Sequence, residues 1–100
     1  MKSYDKTANV IDAKVGEIFS VELDSVPGAG YQWDADVAEP GVELVEKQVT
    51  PADNTSIGGS SKEVFKFKST AAGDAELRFV YKRPWENSAA ETVEIKLRAK

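Results

Sequence analysis

The stretch that decides the fold is AELRFVYK, residues 75–82. Its apolar residues occupy every second position from Ala75 to Tyr81, and charged residues fill most of the positions between them. This period of two predicts a β-strand with one buried face. The strand runs directly into Arg83-Pro84-Trp85, where a rigid turn residue lies between a cation and the largest apolar side chain.

The same period recurs along the chain. It is clear in EIFSVELD (residues 17–24), YQWDADV (31–37), EVFKFKS (63–69) and TVEIKLRAK (92–100). It is weaker in ANVIDAK (8–14) and in VELVEKQV (42–49), whose apolar residues change face midway, as expected for a bulged or edge strand. Turn signals separate these runs. They predict an all-β fold, an immunoglobulin-like antiparallel two-sheet sandwich of about seven to eight strands, with Trp33 in the core.

Composition limits the classes of partner. The chain has 100 residues, the size of one domain, and we expect a flexible segment at residues 1–7 and the sandwich at 8–100. The net charge of −4 argues against nucleic acid, and no run of about 18 apolar residues predicts a membrane span. A monomer is expected. The compartment is left open: secretion or the periplasm follows if a leader was removed, and the cytoplasm otherwise.

Two residue types are missing altogether. Without cysteine there is no disulfide, thiol nucleophile or cysteine zinc site. Without histidine the usual general base and the commonest transition-metal ligand are missing. The sequence therefore argues against an enzyme, and no cofactor or metal is expected.

Three connections have unusual compositions. With the strands lettered A to G, these are the B–C loop (SVPGAGY, residues 25–31), the D–E loop (NTSIGGSSK, 54–62) and the F–G loop (KRPWENSA, 82–89). Such a sandwich gathers these loops at one end. Taken singly, they fit a tight turn, a flexible hairpin tip and a lid formed by Trp85. Together they favour a recognition surface, because an exposed Trp beside an Arg is typical of a binding hot spot.

At these residues the sequence resembles the chagasin-type family of cysteine-peptidase inhibitors. That family carries the motifs N-P-T-T-G-[FY] followed by x-W, then G-x-G-G, then R-P-W. Here the third motif is intact at residues 83–85, and residues 58–61 resemble the second, with serines replacing its last two glycines. Residues 26–31 resemble the first, with Trp33 in register. The resemblance extends from strand B to the end of the chain.

The resemblance implies a reversible inhibitor whose B–C loop enters the active-site cleft of a papain-like cysteine peptidase while the other two loops hold either side. The candidate partner-binding residues are Val26, Pro27, Gly28, Ala29, Gly30 and Tyr31 in the first loop, Ile57, Gly58, Gly59, Ser60 and Ser61 in the second, and Arg83, Pro84 and Trp85 in the third.

The first motif departs from the family pattern. Gly28 and Ala29 replace two threonines and Val26 replaces an asparagine, so side-chain hydrogen bonds worth about 1 kcal/mol each are missing. The alternative function is an immunoglobulin-like binding or structural module of a surface or secreted protein without peptidase inhibition. A carbohydrate-binding module stacking sugars on Trp85 and Tyr31 is a third hypothesis, but it leaves the glycine-rich loop unexplained.

Overall fold

The computed structural model describes residues 2–25, 30–37, 41–50 and 61–100. These residues form eight strands: β1 (Lys2–Tyr4), β2 (Val10–Ala13), β3 (Ile18–Ser25), β4 (Gln32–Asp36), β5 (Val42–Thr50), β6 (Ser61–Ser69), β7 (Gly73–Lys82) and β8 (Glu91–Ala99). They make two four-stranded sheets, ordered β1-β3-β6-β5 and β2-β8-β7-β4. The predicted all-β, immunoglobulin-like sandwich is confirmed. Within the described residues there is no helix long and apolar enough to cross a membrane.

Alternation of side chains builds the core between the sheets. On β7, Ala75, Leu77 and Phe79 are buried while the residues between them are exposed or half-buried. Phe79 meets Phe65 of the opposite sheet edge to face, with ring centroids 5.2 Å apart. Burying one such side chain contributes about 1.5–3 kcal/mol, so this face is what fixes the register of the strands.

The two N-terminal strands pair in parallel, which the alternation did not predict. β1 lies beside β3 and β2 beside β8, while the remaining pairs are antiparallel. The segment 1–7, expected to be flexible, therefore contains a strand. This strand is held by backbone pairing with β3 and by an edge-to-face contact of Tyr4 with Phe19, with ring centroids 6.2 Å apart. Neither interaction produces an alternating hydrophobic pattern in a run of three residues.

Strand β5 has both features expected from its irregular pattern. It lies at the edge of its sheet, and its register with β6 shifts between Leu44 and Glu46. The bulge explains why the apolar residues change face midway, since one extra residue reverses the alternation. Leu44, Val45 and Val49 are exposed at this edge of the sheet.

Candidate functional site

The strand ends that carry the three loops meet at one end of the sandwich. Ser25, the last residue of β3, pairs with Ser61, the first of β6, and Gln32 of β4 pairs with Lys82 of β7. The two sheets are joined at this end by the Trp33 indole N–H, which donates to the Asp24 carbonyl at 2.9 Å. The strands that lead into the three loops therefore end on the same side of the sandwich, as expected from the sequence.

Part of the predicted site lies outside the described residues, namely Val26, Pro27, Gly28, Ala29, Ile57, Gly58, Gly59 and Ser60. The structure describes the other six predicted residues. Ser61 is buried as the first residue of β6, whereas Pro84 and Trp85 are exposed. Gly30, Tyr31 and Arg83 are half-buried.

Arg83 to Glu86 form a β-turn that presents Trp85. The Glu86 N–H donates to the Arg83 carbonyl at 3.0 Å, with Pro84 at the second position, where its fixed φ suits the turn. The Ala90 N–H donates to the Tyr81 carbonyl at 2.8 Å and closes the base of the loop. Trp85 is 71% exposed, so it is not part of the core. Its indole edge nevertheless lies against Gly30, at the end of the B–C loop.

An aromatic stack connects this exposed turn to the core. The Trp33 ring stacks on Tyr81 at 4.7 Å between centroids, and Tyr81 stacks on Tyr31 at 5.1 Å. The Arg83 guanidinium carbon lies 4.6 Å from the Tyr31 ring centroid and 6.0 Å from that of Trp85. Arg83 thus lies where cation–π attraction to both rings holds the F–G loop against the B–C loop.

A charged pair stabilises the edge of β4 at the same end. The Trp33 backbone N–H donates to both carboxylate oxygens of Glu63 (3.2 and 3.1 Å), and Lys47 Nζ donates to the Trp33 carbonyl at 2.8 Å. Lys47 Nζ lies 3.2 Å from Glu63 Oε1. Sequence reasoning missed this pair. A signal was available, because Glu63 shares the inward face of its strand with Phe65.

A sandwich that presents an exposed aromatic turn against Gly30, at the end of a second loop, defines a class of protein, the loop-presenting binding module. The sequence model of the family described as Chagasin family peptidase inhibitor I42 matches residues 12–98. The chain therefore belongs to the chagasin family. It is a family of peptidase inhibitors, and the chain is accordingly not an enzyme.

Individual relatives agree with this assignment. The chain is 29% identical to chagasin of Trypanosoma cruzi over 76 residues, which cover 71% of this chain and 69% of that protein. The fold resembles the crystal structure of the cysteine protease inhibitor EhICP2 from Entamoeba histolytica, with a TM-score of 0.82, 17% identity and coverage of 100% and 97% of the two chains. It also resembles PbICP-C in complex with falcipain-2, with a TM-score of 0.67, 20% identity and full coverage of both chains.

Proposed function

We propose that this protein is a reversible inhibitor of papain-like cysteine peptidases that occludes the active-site cleft with its B–C, D–E and F–G loops. Family membership supports inhibition of a peptidase, and the description of EhICP2 as a cysteine protease inhibitor supports the class of target. The partner-binding residues proposed are those of the three loops, from Val26 to Tyr31, Ile57 to Ser61 and Arg83 to Trp85.

The observation that carries the proposal is the exposure of Trp85 on an ordered turn. A side chain of this size, 71% exposed, leaves much apolar surface to bury on a partner. The hydrogen-bonded turn and the contact with Gly30 already restrict the Trp85 side chain, so it loses less conformational entropy when it binds a partner. Trp85 therefore has the two properties of an interface hot spot, large area and preorganisation.

The mechanism requires no chemistry from the inhibitor. A loop that lies across the catalytic cleft excludes substrate whether or not it contacts the nucleophile. Gly28 and Ala29 carry too little side chain to form the hydroxyl contacts of the family's threonines, so in the B–C loop backbone groups would make most contacts. Affinity would then depend more on the F–G loop than in relatives that keep the full first motif.

The test is a titration of active papain with the purified protein, following hydrolysis of a small fluorogenic peptide. We expect reversible inhibition, and we expect Trp85→Ala to raise the inhibition constant by roughly 30-fold or more, as for a hot-spot residue. Val15→Ala is the matched control, because Val15 is also an exposed apolar residue but lies in the turn between β2 and β3, at the opposite end of the sandwich.

Two results would count against the proposal. An inhibition constant for Trp85→Ala equal to that of the wild type would show that the F–G loop does not contact the peptidase. No inhibition of papain or of a cathepsin L-like peptidase at micromolar concentration would favour the alternative, an immunoglobulin-like module with another partner.

A further inference from the structure

We propose that Glu63 and Lys47 are positioning residues for the inhibitory loops. They fix the start of β4, and through it the B–C loop, relative to the ends of β5 and β6 that flank the D–E loop. This inference rests on the proposed function, but its first half concerns the isolated protein and can be tested there.

The argument begins with the edge of the sheet. Among the described residues, strand β4 is the last strand of its sheet, so the backbone groups on its outer side have no neighbouring strand there. At Trp33 these groups are bonded instead to side chains of the opposite sheet: the N–H to Glu63 and the carbonyl to Lys47. The Glu63–Lys47 pair takes the place of a paired strand at this one residue.

The burial of the pair argues that its role is geometric. The Glu63 side chain is only 3% exposed and that of Lys47 is 33% exposed. Removing a carboxylate from water is unfavourable unless it is paired and hydrogen-bonded, and apolar residues of similar size commonly stabilise a fold as well as a buried ion pair does. Directed bonds, however, specify one position for Trp33, which apolar packing against the sheet edge would not.

The location of the pair connects it to two loops. Trp33 lies two residues after Tyr31, the last residue of the B–C loop. Glu63 and Lys47 lie near the first residue of β6 and the last residues of β5, on either side of the D–E loop. A pocket of about 180 Å³, lined in part by Gly30 and Tyr31, opens beside the pair and gives β4 room to shift if the bonds are lost.

The test compares Glu63→Met with Glu63→Gln, two residues of similar length. Glutamine keeps an oxygen that accepts the Trp33 N–H, and methionine does not. We measure amide hydrogen exchange at residues 31–33 in the isolated protein, with the amides of β8 as internal reference. We also measure inhibition of papain, well below the unfolding temperature of each variant. Ile11→Val is the control for stability, because it trims a fully buried residue of β2, near the opposite end.

For Glu63→Met we expect exchange at Trp33 to accelerate, and the inhibition constant to rise, by about tenfold each, the equivalent of one lost directed bond. Glu63→Gln should stay within about threefold of the wild type in both measurements, since its bond to Trp33 is retained. Ile11→Val should lower the unfolding temperature and leave the inhibition constant unchanged, because a stability loss alone does not move the loops of the folded protein.

Wild-type exchange at Trp33 in Glu63→Met would overturn the inference, as would faster exchange with no change in inhibition. An inhibition constant that rises equally in Ile11→Val would assign the effect to stability instead. If the wild type itself does not inhibit, the proposed function fails together with the inhibitory half of this inference. The exchange comparison would then still decide whether the pair positions β4.

Discussion

Gly30 and Trp85 touch across the loop end of the sandwich: a Cβ atom added to Gly30 would lie 3.0 Å from the indole Cη2 atom and 3.7 Å from Cζ2. Gly30 also has φ of +86°, a conformation that other residues adopt only with strain. A larger residue here would displace the side chain proposed as the main anchor. The end of the B–C loop and the F–G turn therefore constrain each other.

The first prediction uses two glycines to separate these effects. Gly16 has φ of +91° but nothing within 4 Å of the added Cβ, so Gly16→Ala carries the backbone strain alone. We expect Gly16→Ala to reduce the free energy of unfolding by about 1–2 kcal/mol without altering inhibition. Gly30→Ala should cost at least as much and also weaken inhibition, because Trp85 must move. Equal inhibition by the two variants in the papain titration would show that the Trp85 contact is irrelevant to binding.

The second prediction concerns the two tryptophans. Trp33 is 2% exposed and Trp85 is 71% exposed. The Trp85→Phe variant, which retains Trp33, should fluoresce at shorter wavelength and resist quenching by acrylamide. Trp33→Phe should show the reverse. It should also lose about 1–3 kcal/mol in urea unfolding, because the Asp24 carbonyl loses its indole donor. Similar quenching in both variants would contradict the exposure of Trp85.

The third prediction is that Arg83→Lys is not a conservative change. A planar guanidinium can stack on Tyr31 and Trp85, and a compact, strongly hydrated ammonium does so less well. We expect inhibition to weaken by roughly fivefold, the scale of a partly exposed cation–π contact. Arg78→Lys, on a solvent-facing part of β7 with an ion pair to Glu94, is the matched control. Equal inhibition constants for the two variants would rule out a role for the stack.

The fourth prediction tests a local contact in the connection between β1 and β2. Hydrogen bonds from the Thr7 hydroxyl and backbone N–H hold the pKa of Asp5 below its ordinary value. A carboxyl whose pKa is lowered on folding stabilises the fold above its unfolded pKa, and this stabilisation is lost as the pH falls through the folded value. Thr7→Val removes the hydroxyl donor, so an NMR titration should show the Asp5 pKa rising. A titration identical to that of the wild type would show that the hydroxyl bond does not form.

Strand periodicity predicted most of the fold because a two-sheet sandwich buries alternate residues. The bulge in β5 was visible for the same reason, as a change of face between Val42 and Val49. Strand β1 could not be predicted from the sequence, since Lys2 to Tyr4 are held mainly by backbone bonds to β3, and backbone bonds leave no side-chain pattern. The parallel pairing of β2 with β8 is equally independent of pattern.

The site was predictable as a set of loops but not as an arrangement. Composition singled out Trp85 and Arg83, and the register of the strands brings their loop beside Gly30. The stacking through Tyr81 and the bonds of Glu63 and Lys47 to Trp33 join residues that are far apart in the sequence. Only the folded positions of the strands reveal them. Local pattern could do no more than flag Glu63 as a charge on an inward face.

The bonds that join the sheets at Trp33 have a consequence for the conditions under which the protein can work. A cysteine peptidase is active only while its nucleophile remains a thiolate, which requires a reducing medium. A strongly reducing medium also attacks disulfides, including the one that joins the sheets of many immunoglobulin-type sandwiches. Here hydrogen bonds of the Trp33 indole, the Glu63 carboxylate and the Lys47 ammonium join the two sheets, and the chain has no cysteine. The reductant that keeps the proposed target active therefore has no bond to attack in its inhibitor.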